Sequence, residues 1–211
     1  MSPQGLSLDD PLVGRELHPR LAVAYEGALT RPECEALAAQ LLARPTSATE
    51  PYSPATGRRS PAPSFSPSST VAALPEHRAL VRAAVELRRP ALEAFFDRPL
   101  ELGEDVRFLR YGVGAFIKPH VDFADGPGVP PEISERSVVV TLALTGNDES
   151  AALSHGGGTL ELYIRLPDAT ATPTLAGTLV AFDARVIHAV TQVTDGTRLA
   201  AVGWLRRRSR A

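Results

Sequence analysis

Three side chains in this sequence could together hold a divalent metal: His120, Asp122 and His188. The His-x-Asp pair falls in a stretch with strand character, and on a strand residues i and i+2 project to one face. Val121 and Phe123 would then face the opposite layer. Two imidazoles and one carboxylate suit a ferrous site with open coordination positions, although the same ligands also suit catalytic zinc. Arg198, ten residues after His188, separates the two. A guanidinium there could clamp the far carboxylate of a keto diacid such as 2-oxoglutarate while the keto acid end chelates the metal. His188 lies in Val186-Ile187-His188-Ala189-Val190, where an unpaired imidazole is costly and a ligand role accounts for it. The remaining histidines, His18, His77 and His155, fall outside the predicted strands.

The residues Thr194-Asp195-Gly196-Thr197 predict a hairpin turn. That turn sets Arg198 opposite Gln192, on the face of His188 and about 13 Å along the sheet from it. Tyr111, just before the bend Gly112-Val113-Gly114, offers a hydroxyl to a 2-oxoglutarate carboxylate, and Thr141 and Thr159 are candidate pocket-lining residues. Arg58, Arg59 and Lys118, the one lysine of the chain, are candidate substrate contacts; for each, plain solvent exposure is the simpler reading.

The elements that must position these groups come in two textures. Leu21 to Tyr25 reads as a strand, and Thr30 with Glu33 forms a capping box opening a helix over Cys34, Leu37, Ala38, Leu41 and Leu42. Residues 45–70, rich in proline, serine and threonine, read as a long loop of the kind that forms a lid. A helix from Pro75 to Arg89 and a shorter one from Pro90 to Phe96 follow, each with proline in its first turn. Beyond Leu102 the pattern changes to strands near 106–111, 117–123, 137–144, 159–164, 178–182, 186–193 and 199–205. Helices followed by strands predict an α+β, mainly β chain: a jelly roll with supporting helices at its amino-terminal side. The expected organisation is one domain, with an extension over 1–20, helical support over 21–102, a jelly-roll core over 103–206 and a basic tail over 207–211.

A chain of 211 residues can bury a sizeable core, and a net charge of -2 offers no global attraction to nucleic acid or anionic membrane. Arg206, Arg207, Arg208 and Arg210 are the local exception and read as a solvated end. No apolar run is long enough to span a membrane, and Asp9, Asp10 and Arg15 interrupt any signal-peptide core. With Cys34 as its single cysteine, a cytoplasmic location is the simplest expectation.

The stretch Arg110-Tyr-Gly-Val-Gly-Ala-Phe-Ile-Lys-Pro-His120-Val-Asp122-Phe resembles the first-ligand strand of prolyl 4-hydroxylase-type members of the iron(II)/2-oxoglutarate-dependent dioxygenase superfamily. The segment from Gly177 through His188 to Arg198 and Trp204 resembles their distal half, and Gly156 to Gly158 before Thr159 their Gly-Gly strand start. The resemblance covers roughly residues 21–206 and implies a double-stranded β-helix. Iron would sit on His120, Asp122 and His188, with Arg198 on 2-oxoglutarate, and oxygen would be a co-substrate. Ascorbate as an accessory reductant is compatible with it. The implied reaction is hydroxylation of an unactivated C–H bond in an amino-acid side chain or a small metabolite. Asp122 favours hydroxylation over halogenation, because its carboxylate fills the position a halide would need. Two departures stand out: Ile117 where the family often has tyrosine, and an insertion from Gly146 to His155. Proline is therefore not carried over as the substrate. Nucleic-acid demethylating relatives place a second arginine where this chain has Trp204. Outside the class stand a non-catalytic jelly-roll binding module and a zinc hydrolase using Glu161 or Asp183 as base.

Overall fold

A computed structural model describes residues 14–53, 55–147 and 154–208. Its frame is a large antiparallel sheet in the order 15–18, 22–25, 179–183, 136–143, 198–207, 107–111, 69–71 and 46–48, with 100–102 also paired to 198–207. A smaller sheet runs 168–171, 160–165, 187–190 and 117–120. The two sheets form the expected jelly roll.

Alternation along the strands of the large sheet decides which side chains meet the site. Val138, Val140 and Leu142 join Phe108, Leu199, Ala201 and Leu205 in one core cluster against the helices. Val139, Leu109, Tyr111 and Trp204 point the other way, into the roll. Helix Arg31–Leu42 opens at Thr30 with the expected reciprocal bonds to Glu33 and buries Cys34, Leu37, Ala38 and Leu41.

Three expectations need correction. The two predicted helices are one, Pro75–Phe96, with Pro90 inside it. A continuous buried stripe from Val81 through Val85 to Leu92 and Phe96 carries the helix past the missing amide. Residues 45–70 are not a free loop: strand Ser69–Val71 pairs with Arg107–Tyr111, Thr46–Ala48 pairs with Ser69–Val71, and Tyr52–Ser53 pairs with Arg58–Arg59. The two ends of the segment thus extend the large sheet, with a short hairpin between them. The predicted hairpin over 194–197 is absent. Val193–Gly196 is itself a strand, paired with His155–Gly157, and the chain passes there from the small sheet to the large one.

At the carboxyl end, Arg206 pairs with Glu101 and Glu135, and Arg208 with Glu93, so these tail arginines meet acids. Arg210 lies outside the described residues. Among the described residues no helix is long and apolar enough to cross a membrane.

Cys34 is fully buried, and burial with Glu33 and Glu35 nearby pushes its thiol up to about 12. The thiol therefore stays protonated and shielded at pH 8. Native protein should not react with Ellman's reagent at that pH, while one thiol per chain should appear in denaturant.

Candidate metal centre and co-substrate pocket

The two imidazoles meet because of register: His188 pairs directly with His120 across the Ile187–Val190 and Ile117–His120 strands. Their rings lie 4.2 Å apart. The strand ends at His120, so Asp122 reaches the same point from the following bend, anchored by its amide to the carbonyl of Ala184. Because regular alternation stops there, Val121 and Phe123 also line the cavity, contrary to the strand-based expectation. The ligand atoms of His120, Asp122 and His188 lie within 4.8 Å of one another.

Each imidazole is held in a defined tautomer. Nδ1 of His120 donates to the Lys118 carbonyl at 2.8 Å, and Nδ1 of His188 to the Val186 carbonyl at 3.0 Å. A carbonyl only accepts, so in each neutral ring the free lone pair is on Nε2. Those two nitrogens stand 3.5 and 3.8 Å from the Asp122 carboxylate. With that proton arrangement three acceptors converge on one point, and this donor set fits a divalent metal. Burial would raise the Asp122 pKa, but both imidazoles and Arg136 hold it well below the usual carboxylate range. Burial lowers His188 to about 4, so its ring is neutral at physiological pH. Burial would also lower His120, but Asp122 and the Lys118 carbonyl outweigh it and raise its pKa.

Arg198 occupies the pocket by a route the sequence did not predict. It sits in the large sheet, paired with Tyr111 rather than facing Gln192. Its guanidinium lies 4.7 Å from the centre of the Tyr111 ring. It is buried, and no carboxylate among the described residues pairs with it. Gly158 gives it room: a Cβ there would come 2.9 Å from Arg198 Cδ. The adjacent His155 has its pKa lowered by burial and by Arg198, so it adds no opposing charge. A buried cation packed on an aromatic ring with no counter-ion suits the distal carboxylate of a dianion.

The triad, Arg198, Tyr111 and Thr141 open onto one cavity of about 900 Å³. Arg59 lines it; Arg58 and Lys118 are exposed and do not, the latter because it lies on the outward side of an edge strand. Thr159 does not line it either. Neither acid offered as a hydrolytic base reaches the cavity: Asp183 is locked to Arg98 at 2.7 Å, and Glu161 accepts from Tyr163.

Sequence reasoning missed Trp204, Arg136 and Arg107. The Trp204 indole N–H donates to Oδ2 of Asp122 at 2.8 Å, and Arg136 donates to the Asp122 carbonyl at 3.1 Å. Arg136 lies 4.1 Å from the centre of the Trp204 ring, and Arg107 5.0 Å. Trp204 thus orients the carboxylate and is itself fixed by stacking. Even spacing could have found two of the three: Arg107 is four residues before Tyr111, and Trp204 six after Arg198, hence on the same strand faces.

The sheets, the roll between them and the triad at its mouth define a double-stranded β-helix. Residues 106–206 match the family model of the 2OG-Fe(II) oxygenase superfamily. A PKHD-type hydroxylase of Acaryochloris marina (strain MBIC 11017) is 37% identical over 100 residues, 47% of this chain and 40% of that protein. Two prolyl hydroxylase structures share the fold. That of the Pseudomonas putida prolyl-4-hydroxylase superposes with a TM-score of 0.67 at 23% identity, covering 92% of this chain and 95% of its own. That of Trichoplax adhaerens, solved with a hypoxia inducible factor peptide fragment, has a TM-score of 0.67 at 15% identity, covering 89% and 84%. The chain spans about 40% of the length of the curated relative it matches. The resemblance to the iron(II)/2-oxoglutarate-dependent dioxygenase superfamily thus stands on the sequence of residues 106–206, and the fold is one that the prolyl hydroxylase structures share.

Two outcomes follow for metal binding. Trp204→Phe keeps the ring but removes the bond to Asp122, and should weaken Co(II) binding by on the order of 10- to 100-fold in a spectroscopic titration. In the unaltered protein, Co(II) affinity should fall as pH drops through the titration of His120, whose proton competes with the metal. No second step near neutrality should appear, because His188 is already neutral there.

Proposed function

We propose that the protein is an Fe(II)- and 2-oxoglutarate-dependent hydroxylase that uses oxygen to hydroxylate an unactivated C–H bond of an amino-acid side chain or small metabolite, releasing succinate and carbon dioxide. The observation that carries this reading is a His-Asp-His cluster and a buried arginine without a carboxylate partner, opening onto the same cavity. A metal centre alone is common to many chemistries; joined to a site for a distal carboxylate, it calls for a chelating diacid.

In this reading His120, Asp122 and His188 hold the iron, and Arg198 takes the distal carboxylate of 2-oxoglutarate. Bound Fe(II) and 2-oxoglutarate would activate oxygen, the oxidant, for chemistry that no side chain here can perform. The protein's part is to place and to exclude. Nε2 of each histidine is kept available because its Nδ1 proton is committed to a backbone carbonyl. Trp204 and Arg136 hold Asp122 ionised and fixed in direction. Tyr111 orients Arg198 and offers its hydroxyl to the co-substrate. Thr141 lines the wall between them. Phe65 packs edge-on against the His120 ring at 5.4 Å and, with Ile117 and Leu160, gives the cavity apolar walls that limit water. The intact triad and the charged, partnerless Arg198 speak against a non-catalytic module, in which neither would be needed.

The test is succinate formation by anaerobically iron-loaded protein given 2-oxoglutarate and oxygen. Unaltered protein should turn over slowly without added substrate. His188→Ala should abolish this turnover. Arg198→Ala should raise the 2-oxoglutarate requirement by on the order of 100-fold, as expected for loss of a buried charge-assisted pair. Absence of 2-oxoglutarate binding by calorimetry in the unaltered protein would contradict the proposal.

A further inference from the structure

The cavity holds more positive charge than the metal and co-substrate sites account for. Its charged lining residues are Arg59, Arg107, Arg136 and Arg198 against Glu50 and Asp122. Arg198 and Asp122 are assigned to the co-substrate and the metal. Of the other arginines, Arg136 and Arg107 share a single carboxylate, Glu104, at 2.6 and 3.1 Å. Arg136 is buried and held by Glu104, Trp204 and the Asp122 carbonyl, with only its Nη2 lacking a hydrogen-bond partner. Arg107 keeps about a third of its side chain open and stacks on Trp204. Arg59, on the hairpin strand Arg58–Arg59, has no ion pair or side-chain hydrogen bond among the described residues, and the exposed Glu50 pairs with neither arginine.

From this arrangement the geometry points to an anion subsite formed by Arg59 and Arg107, which receives a carboxylate of the substrate while the carbon to be hydroxylated faces the triad. Two guanidinium groups that line one cavity repel each other until an anion lies between them. Consistently, burial lowers the Arg107 pKa, and the charges of Arg59 and Arg136 lower it further despite Glu104. Two planar donor forks can receive both oxygens of a carboxylate, and a cavity of about 900 Å³ leaves room for substrate beside the co-substrate. Trp204 places the subsite next to the metal: its ring lies under Arg107, and its N–H is on Asp122. The substrate class is therefore a carboxylate-bearing one, and the arginine of the exposed pair that matters is Arg59. This inference rests on the oxygenase reading, which supplies the occupants of the other sites.

The experiment uses the full chain saturated with Mn(II) and N-oxalylglycine, so that Arg198 is occupied before any further anion is added. Trp204 is the one tryptophan of the chain and lines the cavity, so its fluorescence reports occupancy, with calorimetry as a second readout. The probes are the free L-amino acids beside their C-terminal amides, and acetyl-capped peptides with aspartate or glutamate beside the same peptides with asparagine or glutamine. Acids should bind at least about 10-fold more tightly than their amides. Arg59→Gln and Arg107→Gln should each weaken the acids by on the order of 10- to 100-fold, and Arg58→Gln should change nothing. Preference within the free acids or within the peptides tells which source supplies the carboxylate. Equal binding of acids and amides, or binding of no acid while N-oxalylglycine still binds, would overturn the subsite. Failure of N-oxalylglycine to bind would instead bring down the oxygenase reading on which it rests.

Discussion

Burying the ionised carboxylate of Asp122 is the constraint around which the rest of the structure is arranged. An isolated buried carboxylate costs several kcal/mol even after relaxation, and removing a partner from such a group is correspondingly destructive. Here the charge faces two imidazole nitrogens, accepts from the Trp204 indole and has Arg136 behind it. These partners come from both sheets and from the bend between strands, so the site exists only when the whole roll has closed. The metal that the donor set fits completes the compensation and would couple its own binding to the stability of the fold.

The large sheet does two jobs through one periodicity. Its odd and even positions alternate between an apolar face for the helices and, for the cavity, a face on which arginines stand among apolar side chains. Arg107, Leu109 and Tyr111, then Arg198, Val202 and Trp204, are successive inward residues of neighbouring strands. Positive charge is thereby spread over neighbouring strands, with Arg198 opposite Tyr111 and Arg107 opposite Val202. A dianionic co-substrate and a carboxylate-bearing substrate would meet the metal from different sides, each drawn by its own arginines. Charge complementarity would then sort the two ligands before any contact at the reacting carbon.

Much of this was legible in the residue order because short-range spacing carries it. The His120-x-Asp122 pair, the capping box at Thr30 and Glu33, and the run of strands after Leu102 all depend on neighbours a few positions apart. Arg198 lines the same cavity as the triad, but not through a hairpin: the turn-like Thr194-Asp195-Gly196-Thr197 contributes to a strand because His155–Gly157 lies beside it, a partner some forty residues away. Pairing partners at that separation leave no local trace. The 45–70 segment was read as a loop for the same reason, since its strands are held by the edge of the Arg107–Tyr111 strand rather than by propensity. Lys118 and Arg58 are exposed, as the simpler reading of each has it; an irregularity in the pairing of the Ile117–His120 strand breaks the alternation that would set Lys118 on the face of His120. Trp204 and Arg107, by contrast, were within reach of a reader who followed even spacing from Arg198 and Tyr111.

The most direct test of the central claim is an anaerobic titration of the iron-loaded protein with 2-oxoglutarate, followed by visible absorption. A bidentate keto acid on ferrous iron held by two histidines and one carboxylate gives a metal-to-ligand charge-transfer band, which succinate cannot produce. The account predicts that the band appears at one equivalent of each, is lost in Asp122→Asn, and in Arg198→Ala forms only at much higher 2-oxoglutarate. A protein that binds iron stoichiometrically yet develops no band at saturating 2-oxoglutarate would contradict it.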